Sequence, residues 1–272
     1  MSLNDICVPP DLSPGRLARV NGPDAPPTPR RVLLKLSGEA FKGDQVAGID
    51  MSRMRDIARQ VAELRGDGIE VAIVVGGGNF LRGASQAELG MDRATADYMG
   101  MLATILNAMP LQDALEQAGV PARVMSALSV HEIAEPYVRA KALHHLKKGR
   151  VMIFAGGTGN PFVTTDTGAA FRSLEINADI LLMAKNGVRG VFDRDPREHD
   201  DARFIDEISY QDALVHGLKV LDATAFALLA EHELPIVVFD MDASDAITRV
   251  GRGERLGTLV HTDAPPLVPQ EA

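Results

Sequence analysis

The 272-residue chain has a single cysteine, Cys7, so no internal disulfide can form, and an isolated thiol in the proline-rich N-terminal stretch is given no role. Long hydrophobic runs are missing as well. The longest, such as Val71 to Val75 and Ile180 to Ala184, fall far short of the roughly 20 residues a membrane-spanning helix needs. Near the start, Asp5, Pro9, Pro10 and Asp11 stand where a secretory signal would require a continuous apolar stretch, so a cytoplasmic location is expected. Positive charge is in deficit: 28 lysines and arginines face 37 aspartates and glutamates, a net charge of −9. That balance disfavours the basic face a nucleic-acid binder presents, and neither nucleic acid nor membrane is expected as a partner. A single nucleotide is a different case, because a few local cations and backbone N–H groups can hold its phosphates whatever the global charge.

Several chemical signatures are absent too. No G-x-x-x-x-G-K-[ST] occurs, which excludes a P-loop, and no G-x-G-x-x-G follows a strand, which leaves a dinucleotide site unsupported. There is no G-x-S-x-G elbow for acyl chemistry. His144 and His145 are adjacent, so on a helix they point apart, and no histidine–cysteine cluster has metal spacing.

What is present is an alternation of short apolar runs with longer helical patterns. Residues 1–29 are rich in proline and lack apolar periodicity, which reads as a disordered tail. From about Arg31 strands are predicted at Val32 to Leu36, Ile69 to Val75, Ala122 to Ser126, Val151 to Ala155, Ile180 to Ala184, Ile236 to Phe239 and Thr258 to Val260. The alternation predicts an α/β fold with a mostly parallel sheet covered by helices. Met51, Met54, Ile57, Val61 and Leu64 recur at steps of three and four, with Asp50 as helix cap and Gly66 and Gly68 as terminators. A second helical stretch, Ala94 to Ala118, is apolar over much of its circumference and is expected to kink or break at Pro110; it could also support a subunit interface.

Three loops after predicted strands are rich in glycine and small polar residues, at the sheet edge where open α/β folds bind ligands. The first is Lys35-Leu36-Ser37-Gly38-Glu39-Ala40, where the lysine and neighbouring N–H groups can meet a phosphate; a solvated lysine before an ordinary turn would look the same. The second is Gly76-Gly77-Gly78-Asn79 with Arg82, which lets the backbone approach a ligand closely, although a plain flexible turn would also use three glycines. The third runs from Gly156 to Asp166 and offers glycines, Asn160 and the hydroxyls of Thr158, Thr164 and Thr165 to a sugar and phosphate. There Thr165 or Asp166 is expected to cap the following helix.

Taken in order, these segments resemble the bacterial uridylate kinases of the amino acid kinase family, from about Arg31 to about His261. The resemblance rests on Lys35 to Ala40, Gly76 to Asn79 with Arg82, Met99-Gly100-Met101-Leu102-Ala103-Thr104, Thr158-Gly159-Asn160-Pro161-Phe162, Gly190-Val191-Phe192 with Asp195-Pro196, Leu218 to Asp222, and Gly257-Thr258-Leu259-Val260. It implies a three-layer α/β/α sandwich of the carbamate kinase-like type over residues 30–262, followed by a tail at 263–272. It further implies a UMP-binding N-terminal part and an ATP-binding C-terminal part. The activity it implies is ATP + UMP to ADP + UDP, a step of pyrimidine nucleotide biosynthesis.

Carried over by position, Gly77, Asp97, Thr158, Gly159, Asn160, Pro161, Phe162, Val163, Thr164 and Thr165 would contact UMP. Lys35, Leu36, Ser37, Gly38, Gly78, Arg82, Asn186, Phe192 and Asp195 would serve ATP. Lys35, Asp166 and Asp222 are the expected catalytic residues, with Mg²⁺ bridged by nucleotide phosphates rather than held by an assigned protein ligand. The resemblance also implies a homohexamer activated by GTP and inhibited by UTP. Two departures stand out. Val188-Arg189-Gly190-Val191 carries a base where relatives usually have an acid, leaving either a surface substitution or an extra phosphate contact, and Gly43 to Gly48 differs from the loop associated with GTP activation.

Overall fold

The computed structural model of the chain describes residues 28–81, 90–196, 198–218 and 220–267. The expectation for the N-terminal tail, and Arg82, fall outside these residues. The chain opens with β1 (Arg31–Leu36), whose end runs into a tight 3₁₀ turn at Gly38–Phe41, and continues through α1 (Met51–Gly66) and β2 (Glu70–Val75). Next come α2 (Arg93–Gln117), β3 (Ala122–Ser126), β4 (Glu135–Pro136), α3 (Arg139–Lys147) and β5 (Val151–Ala155). Helix α4 (Thr165–Glu175) leads to β6 (Ile180–Lys185), β7 (Val191–Phe192), β8 (Phe204–Ile205) and β9 (Glu207–Ser209). The remainder is α5 (Tyr210–Val215), α6 (Ala223–Glu231), β10 (Ile236–Asp240), α7 (Ala246–Gly251) and β11 (Thr258–His261).

Nine strands form one sheet in the order β4-β3-β5-β2-β1-β6-β10-β11-β9, parallel throughout except for the β10–β11 pair. Strands buried on both faces need apolar residues at every position, which is why these segments read as continuous runs rather than alternating ones. The period-two geometry of a strand then divides the core. Val32, Leu34 and Leu36 point to one side and join Met54, Ile57, Leu111 and Ile247 from α1, α2 and α7. Leu33 points to the other and joins Ala142, Ala169 and Phe226 from α3, α4 and α6. The result is the expected three-layer sandwich, with helices on both faces of a mostly parallel sheet.

Asp50 caps α1 as expected, accepting from the Ser52 N–H at 2.7 Å. Three expectations need correction. Helix α2 runs unbroken through Pro110. Proline removes the N–H that would bond the carbonyl four residues earlier, but that turn carries solvent-facing Leu106 and Met109, while Ala108, Leu111 and Leu115 on the inner side are fully buried and hold the helix together. The cap of α4 is Thr164, whose hydroxyl accepts from the N–H groups of Asp166 and Thr167, one position earlier than expected. Four strands, β4, β7, β8 and β9, were not expected from local pattern, being two or three residues long and defined by their partners.

Before β11 the backbone turns at Gly257, with φ +98, and a Cβ there would lie 2.1 Å from the Val238 carbonyl oxygen. Gly257→Ala is therefore expected to cost stability through both the left-handed backbone and the clash with the neighbouring strand, by about 2 kcal/mol or more. Thermal unfolding checks this; an unchanged midpoint would contradict the packing described for β10 and β11.

Candidate active site

Because β1, β2, β5 and β6 are parallel neighbours, the loops that leave their C-terminal ends gather on one edge of the sheet. Alternation along β1 turns Lys35 to the same side as Leu33, towards α4. There its ammonium lies 2.8 Å from Asp166 Oδ1, in the first turn of α4, with both side chains largely buried. Sequence reasoning placed Lys35 and Asp166 in one site, and the structure brings them together.

It adds a second lysine that sequence reasoning missed. Lys185 ends β6, next to Asn186, and is partly buried. Burial pulls its ammonium below the usual lysine range; Asp166 opposes that shift and the positive charge of Lys35 reinforces it. The available signal was a lysine closing the otherwise apolar run Ile180-Leu181-Leu182-Met183-Ala184, at the same sheet edge as Lys35. Two cations and one carboxylate therefore share a partly desolvated edge, an arrangement that favours an incoming anion.

The first and second glycine turns touch through their backbones. A Cβ on Gly38 would come within 2.2 Å of the Gly78 N atom, and one on Gly77 within 2.5 Å of the Gly100 carbonyl oxygen on α2. Only glycine permits this approach, which is the physical content of the repeated glycines. Ser37 donates to Asn186 Oδ1 at 3.1 Å, tying the end of β1 to the end of β6. Leu36 is turned into the core, and its carbonyl accepts from the Gly76 N–H, so its contribution is to hold the two turns together. Arg82 lies outside the described residues.

The third loop is anchored at both ends and exposed in the middle. Asp97, on α2, accepts the Phe162 N–H at 2.8 Å, and its two oxygens share the Arg93 Nε–H at 2.9 Å each. Thr158 and Asn160 form a small turn through mutual hydrogen bonds, and Gly159 donates to the Gly156 carbonyl. Phe162 sits at φ +67 and is 69% exposed, and Val163 is exposed beside it. Pro161 and Thr165 are half-buried. A phenylalanine held left-handed and in water is costly unless something occupies its face.

Asp222 acts as a clasp. It caps α6 by accepting from the Thr224 and Ala225 N–H groups, and it also accepts from the Thr164 and Thr167 hydroxyls at the start of α4. Both carboxylate oxygens are engaged by protein donors, so this residue ties the start of α4 to the start of α6. Phe192 and Asp195 line a cavity of about 580 Å³ together with Lys185, Val188, His216 and Leu218. Arg189 does not reach into it; its guanidinium lies over the Phe204 ring at 4.0 Å, and Phe204 meets Phe192 edge-to-face. A smaller apolar cavity, bordered by Ile180, Pro235 and Leu259, lies at the opposite edge of the sheet, away from these groups.

Burial alone would raise the Asp222 pKa, but hydrogen bonds from Thr164, Ala225, Thr167 and Thr224 outweigh it and hold the carboxyl below its usual value of 3.8. A depressed carboxylate adds stability above its unfolded pKa and loses it as pH falls through the lower folded value. Asp222→Asn is expected to lower stability near neutrality by about 1–3 kcal/mol and to flatten the acid limb below pH 3.8. Denaturant titrations across that range check it; an identical acid limb in the variant would contradict the clasp.

The family model described as the amino acid kinase family matches residues 30–240. A uridylate kinase of Rubrobacter xylanophilus is 55% identical over 237 residues, covering 87% of this chain and 93% of that protein. One from Limosilactobacillus reuteri is 50% identical over 234 residues, with 86% and 98% covered. Among solved structures, a UMP kinase from Bacillus anthracis superposes with a TM-score of 0.84 at 40% identity, over 89% of this chain and 99% of its own. With the fold, the paired lysine and aspartate and the three glycine turns in place, these likenesses settle the affiliation: the chain belongs to the amino acid kinase family and, within it, to the uridylate kinases.

Proposed function

We propose that this chain transfers the γ-phosphoryl group of ATP directly to the phosphate of UMP, yielding ADP and UDP. The observation that carries this reading is the Lys35–Asp166 pair beside Lys185, at the edge where three glycine turns converge. In the transfer a UMP phosphate oxygen attacks the γ-phosphorus, the bond to the β,γ-bridging oxygen breaks, and ADP leaves with the electron pair. That attacking oxygen is already anionic near neutral pH, so no general base is needed and the absence of a catalytic histidine costs nothing. What remains for the protein is positioning and charge neutralisation. Lys35 and Lys185 would hold the transferring oxygens from β1 and β6, while Asp166 orients Lys35 from the start of α4.

The acceptor would lie between Gly77, Asp97 and the loop from Thr158 to Thr165, with Asp97 on the ribose hydroxyls and Phe162 and Val163 supplying an apolar wall. The donor would lie across Lys35 to Gly38, Gly78, Asn186, Phe192 and Asp195, its nucleoside in the cavity beside Phe192. Among the described residues no group of three or more acidic, histidine or cysteine side chains is placed to hold a metal ion. On the family resemblance Mg²⁺ is assigned to the nucleotide phosphates, whose charge it would neutralise.

The assembly we infer is a homohexamer. Its support here is the solvent-facing row Tyr98, Leu102, Leu106 and Met109 along α2, with Met99 beside it, a face suited to a second copy. No helix among the described residues is long and apolar enough to cross a membrane. A cytoplasmic role in pyrimidine nucleotide supply, and control by GTP and UTP, rest on the family resemblance.

The direct test is ADP release by the purified protein with ATP and Mg²⁺, comparing UMP with CMP, dUMP, carbamate, aspartate and acetylglutamate. Release with UMP, accompanied by UDP, is expected to exceed that with every other acceptor. Preferred turnover of another acceptor, or none with any of them, would overturn the proposal.

A further inference from the structure

Helix α2 faces two environments. Its outer side carries the apolar row just described, and its inner side carries polar residues that are fully committed. Asn107 is completely buried and Asn79, in the second glycine turn, is 3% exposed. Their side-chain amides form a reciprocal pair at 2.9 and 2.7 Å. The second hydrogen of each amide goes to a backbone carbonyl: Asn107 Nδ2 donates to Gly76 at 2.7 Å, and Asn79 Nδ2 to Gly48 at 2.8 Å. One turn earlier, buried Thr104 donates its hydroxyl to the Met101 carbonyl at 2.6 Å and accepts the Gly156 N–H at 2.7 Å.

Buried polar groups in a core helix are costly unless every donor and acceptor is used, and apolar residues of the same shape would pack there more cheaply. Here all of them are used, and two of the partners lie in the loops of the site. Thr104 fixes Gly156, where the third loop leaves β5. Asn107 fixes Gly76, where the second turn leaves β2. Gly156 has φ +75, and a Cβ there would meet the Ala127 and Leu128 N atoms and Ser126 Oγ at 3.0 Å, so the loop has little freedom to find another partner.

We propose that Thr104 and Asn107 are positioning residues for phosphoryl transfer, each setting one glycine turn from the buried face of α2. Neither touches substrate in this assignment; both act through the backbone they hold. The proposal rests on the phosphotransferase reading above, so its test includes readouts that do not need turnover.

The experiment compares Thr104→Val, which keeps the shape and loses the hydroxyl, with Thr104→Ser, which keeps the hydroxyl. Thermal unfolding, UMP binding by calorimetry, amide hydrogen exchange and the separate kcat and KM values are measured for each. Thr104→Val should speed exchange in the segment containing Gly156 and weaken UMP binding about tenfold, the scale of one lost buried hydrogen bond. Thr104→Ser should return both to near the wild-type values. Unchanged exchange and UMP affinity in a folded Thr104→Val protein would overturn the proposal, as would an equal loss in Thr104→Ser, which would trace the effect to the methyl group. Should Thr104→Val fail to fold, Asn107→Ala decides by the same exchange reading at Gly76 to Asn79, and unchanged protection there overturns the assignment. A wild-type protein that binds UMP without turnover would count against the kinase reading alone, because the binding and exchange arms still report on α2.

Discussion

The Lys35–Asp166 ion pair is the interaction around which the molecule is arranged. Both partners are largely withdrawn from water, and a second lysine, Lys185, stands in the same field. Such a cluster is not there for stability. The desolvation of a buried pair often exceeds its Coulombic gain, and removing the carboxylate alone, leaving cations unpaired, would cost about 3–5 kcal/mol. On the proposed function, a nucleotide phosphate would complete the charge balance and offset that cost. Positioning these three groups requires β1 and β6 side by side and the first turn of α4 above them, and a parallel sheet with helices on both faces supplies that geometry.

The glycine turns extend the same constraint to the backbone. Gly38 and Gly78 are in contact, and Gly77 rests against α2. Their closeness brings the loops assigned to donor and acceptor under the proposed function within reach of one another without any P-loop. Asp222 clasps α4 to α6, while Asp97 and Thr104 hold the third loop to α2. These contacts fix the backbone from which the lysines and N–H groups project.

Much of this was legible in the sequence, for identifiable reasons. The central strands are buried on both faces, so they appear as unbroken apolar runs, and Ala122–Ser126 and Val151–Ala155 matched residue for residue. Glycine clusters marked the site because close backbone approach leaves no chemical alternative. The short strands β7 and β8 were not legible, since two residues carry no period and their pairing is tertiary. Pro110 was read by its local effect, which burial on either side of it overrides. Lys185 escaped because one lysine at a strand end looks like a solvated terminus until β6 is placed against β1. Arg189 was left between two readings, and its seat on Phe204 depends on an antiparallel pair that no local pattern announces.

The central claim is that Lys35 acts on the group in transit rather than on the acceptor. It is tested most directly by Lys35→Ala, with UMP affinity measured by calorimetry and turnover measured at saturating ATP and UMP. The account predicts UMP affinity within a few-fold of the wild type and turnover lowered by about a hundredfold or more, the scale of losing one preorganised charge from a developing transition state. Near-normal turnover in a folded variant would contradict it.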